Sequence, residues 1–426
     1  MIVIIGGGLA GLTVARELAL AGQAVTVLEE RTNLGGLIPR GELAGVPIDL
    51  GADAFTTQPE QVADYIRGLG LETMGPTGRS WIWNGEAFPM PARAKLGIPA
   101  DPHSDEITGL LADPARVAAD LDMPAHVGKD AATLGQLVRA RMGDEIVERL
   151  VSPIVSAIYS THPDNLALDP LLKARFAEHG TLAGAVEAGL TGPAIATVRG
   201  GMFRLPERLA EQAAEASAQI ITGAKAKEMT ARSVTYERGG TTHTLAADHV
   251  VVATGVARAQ QLLPGAMVLE PFELPKGRLT THVSLAVRSE ELDAAPRGSG
   301  MLCVAGTART KAISHMSHKW AWLGEATDLH VLRVSYPVND NVPVSHAIED
   351  VNALFGTAIT ANDVADSYVL RWGGALTPAT AGLRAWARRI ETPPTVWITG
   401  VWKAGSGISA VIPHARATAS AILERG

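Results

Sequence analysis

The chain has one cysteine, Cys303, in 426 residues. A lone thiol excludes an internal disulfide and a cysteine-rich metal site, and it fits a reducing compartment, so a cytoplasmic location is expected. Aromatic residues make up only 4% of the chain and charged residues 19%; the first argues against an aromatic cage and the second against a solvated coil. Basic residues are outnumbered, 37 against 44 acidic, for a net charge of −7. Without a basic field to neutralise phosphates, no nucleic-acid partner is expected. No apolar run reaches the roughly 18 residues of a spanning helix, although attachment to one membrane face stays open. The first apolar stretch has no basic region ahead of it and runs straight into glycines, so it reads as a buried strand and not a signal peptide. What the chain has in quantity is glycine, 44 residues, and apolar side chains, 46% of the total. That composition is globular, and its length predicts two or three lobes.

The glycines are not scattered. IVII at 2–5 is a short apolar run, as in a parallel strand buried on both faces, and it leads directly to Gly6, Gly8 and Gly11. Apolar residues then repeat at helical spacing from Leu9 to Ala21, Gly22 is placed to end the helix, and AVTVL at 24–28 delivers Glu29 and Glu30. Strand, G-x-G-x-x-G, helix, strand and acid, in that order, make a dinucleotide fold. Gly6 permits the tight turn, Gly8 lets backbone approach a pyrophosphate, and Gly11 lets helix and strand close up. The helix start at Leu9 and Ala10 supplies partial positive charge, and Glu29 is suited to ribose hydroxyls. Gly35 and Gly36 follow shortly, and then PIDLGADAF at 47–55, containing Gly51, Ala52 and Asp53. This arrangement resembles the FAD-dependent amine oxidase superfamily, in which the paired glycines pass close to the cofactor. The family commonly has a basic residue two positions before that pair, where this chain has Asn33.

Later stretches complete the same domain. RGGMFRLPERLAEQAAE at 199–215 reads as a glycine turn feeding a helix, QIITGAKAKEM at 219–229 as a strand containing Ala226, and Gly239–Gly240 as a hairpin turn. HVVVATG at 249–255 is another buried strand, bringing in Ala253 and Gly255. The last segment, TVWITGVWKAGSGISAVIPHARATASAIL at 395–423, is strand, glycine turn and helix, with Gly400, Gly405, Gly407, Ile408 and Ser409 at the turn. Only 16 residues follow Ala410, too few for a second Rossmann unit, so this helix start is expected to face the flavin ribityl and pyrophosphate region. With no nicotinamide fingerprint elsewhere, electrons are expected to come from the organic substrate and leave to oxygen or another acceptor.

Two insertions interrupt this domain. AATLGQLVRARMGDEIVERLVSPIVSAIYS at 131–160 has helical periodicity over several turns and is expected to face a core, a membrane or partner contact being the alternative. THVSLAVR at 281–288, GMLCVAG at 300–306 and LHVLRVSYP at 329–337 alternate as strands, suggesting a β-rich lid over the flavin. The expected architecture is α/β: a discontinuous Rossmann-type FAD-binding domain (1–70, 196–264 and 371–426), a strand-rich substrate domain (71–90 and 265–370) and a helical inserted domain (91–195).

Four stretches carry a narrower resemblance: SWIWNGEAFPMPARAKLGIPADP (80–102), TLGQLVRARMGDEIVERLVSPIVSAIYSTHPDNLAL (133–168), GSGMLCVAGTARTKAISHMSHKW (298–320) and GSGISAVIPHARATA (405–419). In this order they look like the porphyrinogen oxidases, the family of coproporphyrinogen III oxidase of Gram-positive bacteria and protoporphyrinogen IX oxidase. The resemblance implies bound FAD, a porphyrinogen substrate and oxygen as partners, and three two-electron steps with hydride passing to flavin N5 and hydrogen peroxide released. It implies no catalytic triad, because the flavin carries the chemistry. A peripheral membrane contact or a haem-pathway partner enzyme is compatible with it; oligomeric state is not legible. Arg79 lies where the family places a basic residue on a substrate propionate, a solvated surface arginine being the plain alternative.

The chain departs from family patterns at AIYSTHP (157–163), HAR (414–416) and WGGALTPATAG (372–382). These departures keep open a protoporphyrinogen IX substrate, a divergent amine-oxidase-like oxidoreductase acting on an amine or carotenoid, and a flavin-binding paralogue without turnover. Trp81 and Trp83 are read as alternating across a strand, at most one toward a pocket, with core packing the expected role. His315 and His318 lack a third ligand partner, so no metal is expected. His414, near the last glycine turn, is suited to tuning the cofactor or to capping the helix, the structural role being the expected one.

Overall fold

The computed structural model describes residues 1–425 except 160, 191–193, 275–276, 338–340 and 377–379. Parts of the AIYSTHP and WGGALTPATAG motifs therefore lie outside the described residues.

A five-stranded parallel sheet stands at the centre of the nucleotide fold. Its order is Gln219–Thr222, Val25–Glu29, Ile2–Ile5, His249–Val252 and Val396–Ile398, so strands far apart in sequence are neighbours. The period-2 alternation of each strand divides its side chains between two cores. Ile2, Ile4, Val25 and Val27 pack under three helices, Leu9–Leu20, Arg204–Glu215 and Ile408–Leu423, while Val3, Ile5, Leu28 and Val252 pack against a three-stranded antiparallel meander. Both faces are covered, which is why these strands read as continuous apolar runs. The meander is made of Lys225–Met229, Ser233–Arg238 and Thr241–Ala246, and its second turn is the expected Gly239–Gly240, both with positive φ. QIITGAKAKEM is not one strand: Gly223, at φ +65°, turns the chain out of the parallel sheet and into the meander.

The strand-rich region is a seven-stranded sheet ordered Val364–Leu376, Arg278–Val287, His330–Tyr336, Ala312–His315, Gly300–Cys303, Ser80–Trp83 and Ala87–Pro89. One face packs on the Val344–Phe355 helix. The other face is polar: Ser284 stands opposite Arg333 and His282 opposite Ser335. Trp81 and Trp83 do not alternate. Two residues apart in a strand, they share a face, and both pack against the apolar core under the Val344–Phe355 helix, with the Arg297 guanidinium 4.9 Å from the Trp81 ring centre. The expected packing role is what the structure shows, by a different geometry.

The helical insertion buries Leu137, Val138, Ile146, Val147, Leu150 and Val155 in its own core, so the periodicity faces inward from 134 to 155. It is not one helix: Gly143, at φ +94°, separates Leu134–Met142 from the turns that follow. Asp120 and Arg141, both without solvent exposure, hold this layer together; Asp120 also accepts the N–H groups of Leu182 and Ala183 at 3.0 and 2.8 Å. Among the described residues no helix is long and apolar enough to cross a membrane.

Candidate active site

At the head of the first helix the glycines are required by contact distances. A methyl group on Gly11 would sit 2.0 Å from the Gly6 carbonyl oxygen, and one on Gly6 would sit 2.7 Å from that of Ala253. Gly8 caps the Leu9–Leu20 helix in extended backbone, with no side-chain cap and no acid in the first turn. The N–H groups at Leu9, Ala10 and Gly11 thus open the positive end of the helix. Gly8 forms an isolated bridge with Gly35, whose N–H donates to Gly7 O at 2.9 Å, and a methyl on Gly36 would lie 3.1 Å from Gly8 Cα. The glycines bring bare backbone together here, which is what close approach to a pyrophosphate needs, and the Arg31 guanidinium reaches the edge of the cradle at Gly36 O, 3.3 Å.

Glu29 does more than its sequence position suggests. Its carboxylate accepts the Gly7 N–H at 2.7 Å and the Arg31 N–H at 2.9 Å, tying the end of the second strand to the glycine turn. Glu30 pairs with Lys225 on the meander. Buried Ala226, next along, offers its carbonyl to Arg258. On the opposite side Gly400 and Gly407 have φ of +113° and +94°, and Gly407 caps Ile408–Leu423 with neither a side-chain bond nor a first-turn acid. Ser409, beside Ile408, binds Thr56 O at 2.8 Å. Gly255 caps Val256–Leu262, and the preceding Thr254 carbonyl accepts the Trp402 indole N–H at 3.0 Å. His414 shares a hydrogen bond with Thr399 at 3.0 Å across the strand–helix junction.

Gly51 and Ala52 rest on the chain that leaves the paired glycines. Ala52 N–H donates to Leu37 O at 3.2 Å, and a methyl on Gly51 would meet that oxygen at 2.2 Å. Asp53 is differently engaged. Its carboxylate takes Lys319 Nζ at 2.8 Å, Trp320 Nε1 at 3.0 Å and Arg333 Nη2 at 2.7 Å. Burial alone would raise its pKa; the Lys319 and Arg333 cations outweigh burial and hold it below the usual carboxylate range. Asp49, four residues earlier, accepts the Met202 and Phe203 N–H groups at 3.0 and 2.9 Å, and burial pushes its pKa up to about 7 despite those bonds. His282, facing the same cluster, is kept neutral: burial, then Arg333 and Lys311, lower its pKa to about 3. Sequence reasoning missed Asp49, Lys319, Trp320, Arg333 and His282. The local signal for two of them is HKW at 318–320, a lysine before a tryptophan, adjoining the histidines considered as metal ligands.

Arg79 donates to Met90 O at 2.7 Å and pairs with Glu106, so its guanidinium is locally satisfied. The His315 and His318 rings lie 5.6 Å apart, tilted by 35°, and His315 reaches His330 at 3.1 Å, which reaches Asp293 at 2.9 Å. Among the described residues no cluster has the ligands of a metal site.

The parallel sheet, the glycine cradle and the acid beside it define a dinucleotide-binding protein. Residues 9–288 match the profile of the flavin containing amine oxidoreductases, and the chain belongs to that family. It is a flavin-dependent oxidoreductase, with FAD as its cofactor. It is 29% identical to coproporphyrinogen III oxidase of Mycobacterium tuberculosis, over 99% of this chain and 97% of that one. It is also 29% identical to the chloroplastic protoporphyrinogen oxidase 1 of Spinacia oleracea, over 39% of this chain and 30% of that one. Among solved structures, a putative protoporphyrinogen oxidase from Exiguobacterium aligns over 100% of this chain and 99% of its own, with TM-score 0.84 and 22% identity. This last likeness establishes the fold alone.

Proposed function

We propose that the protein is an oxygen-dependent porphyrinogen oxidase that converts coproporphyrinogen III to coproporphyrin III in haem biosynthesis. The observation that carries this reading is the near end-to-end likeness to coproporphyrinogen III oxidase of M. tuberculosis. In balance, coproporphyrinogen III and three O2 give coproporphyrin III and three H2O2. FAD, when bound, supplies the two-electron acceptance that each oxidation requires and returns the electrons to oxygen.

The chain's own residues would hold and orient. The Gly6–Gly11 turn and the Glu29 carboxylate would take the pyrophosphate and adenosine ribose, and the Gly407 helix start would face the other arm of the cofactor. The polar face of the seven-stranded sheet, with Arg333 and neutral His282, would close the site from the opposite side and exclude water. Substrate propionates call for cations. Lys95 and Arg175 of the helical insertion suit them: burial, then the Arg175 charge, lowers the Lys95 pKa, the Asp169 carboxylate offsetting this only in part. Arg79 would serve a propionate only by leaving Glu106.

A second reading, protoporphyrinogen IX, draws support from the partial likeness to the spinach protoporphyrinogen oxidase. That substrate has two fewer carboxylates. Initial rates on the two porphyrinogens separate the readings: coproporphyrinogen III should be the faster, and the advantage should shrink in Lys95→Met and Arg175→Met. A faster rate on protoporphyrinogen IX, unchanged in both variants, would reverse the assignment.

A further inference from the structure

The proposed reaction assigns no task to Asp53 and Lys319, which with Arg333 join the Asp49–Asp53 segment to the seven-stranded sheet. We infer that Asp53 is a positioning residue: by gathering Lys319, Trp320 and Arg333 it locks the Gly51–Ala52 backbone against the glycine cradle, and so governs the affinity and potential of the bound flavin. The inference rests on FAD as cofactor and not on the identity of the substrate.

The cluster is dry. Side-chain exposure is 16% for Asp53, 16% for Lys319 and 8% for Arg333. It also grips backbone as well as side chain. One nitrogen of the Arg333 fork binds Asp53, and another donates to Gly51 O at 2.8 Å. A planar five-donor guanidinium holds both in a fixed fork that a lysine's single rotating ammonium does not provide. On its other side the same segment lies against Leu37 O, immediately after Gly35 and Gly36, so the Arg333 fork and the cradle enclose Gly51 between them. The segment has no room to shift without moving the cradle. Its upstream end is fixed too, because Asp49 receives Met202 and Phe203 at the head of Arg204–Glu215, the helix that packs beside the first helix. Lys319 is held in turn by the Trp320 ring, with the ammonium 4.6 Å from its centre.

Charge makes the inference testable apart from any loss of stability. With FAD held in the cradle on which this segment packs, removing Asp53's anion would leave two uncompensated cations near the cofactor and favour its more negative reduced form; removing Lys319's cation would do the opposite. A role confined to packing would give no such difference in sign.

The experiment compares Asp53→Asn, Asp53→Glu and Lys319→Gln with Asp120→Asn, whose buried ion pair lies in the helical insertion. FAD affinity is read from quenching of flavin fluorescence as apoprotein is titrated, the midpoint potential from equilibration with reference dyes, and stability from thermal melting. The expected results are FAD binding at least tenfold weaker in Asp53→Asn, partial recovery in Asp53→Glu, a potential raised in Asp53→Asn and lowered in Lys319→Gln, and neither property altered in Asp120→Asn despite its lower melting temperature. Shifts of the same sign in Asp53→Asn and Lys319→Gln, or no shift in either, would overturn the inference. So would FAD weakening in Asp120→Asn equal to that in Asp53→Asn. If Asp53→Asn does not fold, an unchanged potential in Lys319→Gln is sufficient to reject it.

Discussion

Single residues divide into those whose neighbours in sequence are their neighbours in space and those for which this fails. Gly6, Gly8, Gly11 and Glu29 belong to the first group. The turn, the helix start and the acid come from one crossover, so the spacing alone displays the cradle. Lys319 and Arg333 belong to the second group: Lys319 meets Asp53 across 266 positions and Arg333 meets Gly51 across 282. No local pattern encodes such a meeting, so the spacing groups Asp53 with the cofactor-facing residues and gives no sign of its cationic partners. Two predictions belong here. Gly11→Ala puts a methyl 2.0 Å from a fixed carbonyl, so the purified variant should be colourless and should not regain flavin absorbance on incubation with FAD. Glu29→Gln weakens the acceptor for the Gly7 and Arg31 N–H groups, and titration of the apoprotein should show FAD binding about tenfold weaker, roughly 1.4 kcal/mol; unchanged affinity would remove Glu29 from the site.

At the scale of elements, apolar periodicity locates the parallel strands and the helices over them, because burial on one or both faces is what writes a period into a sequence. It fails where glycine redirects the backbone within a periodic stretch. Gly223 divides one apparent strand between two sheets, and Gly143 interrupts an apparent long helix. The helical insertion depends on one pair that periodicity also conceals, Asp120 with Arg141. Asp120→Asn leaves a buried guanidinium without its counter-ion, a loss of about 3–5 kcal/mol. Urea unfolding should show that loss while the flavin-to-protein absorbance ratio of the folded fraction stays at the parent value. A variant as stable as the parent would mean that the pair contributes nothing to the insertion.

Over the whole molecule, buried titratable groups set the pH range of stability. His282 and His315 are both held neutral chiefly by burial, with pKa values lowered from 6.5 to about 3. Folding therefore requires a deprotonated ring, and stability that is complete above pH 6.5 should fall as pH drops from there toward 3. Asp49 works in the opposite sense. With its pKa raised by burial from 3.8 to about 7, its contribution is full below the lower value and declines as pH rises through 7. The two effects oppose each other between pH 4 and pH 6.5, so in melting temperatures measured across that range His282→Asn should make the rise with pH shallower and Asp49→Asn should make it steeper. If either variant leaves the slope unchanged, the corresponding group is not the one titrating.

The chemistry assigned to the whole molecule is tested most directly by one anaerobic mixing experiment. Holoenzyme mixed with coproporphyrinogen III in the absence of oxygen should lose its yellow flavin absorbance, and admission of air should restore the colour with three molecules of hydrogen peroxide for each coproporphyrin III formed. A flavin that stays yellow in the presence of excess coproporphyrinogen III would contradict the assignment.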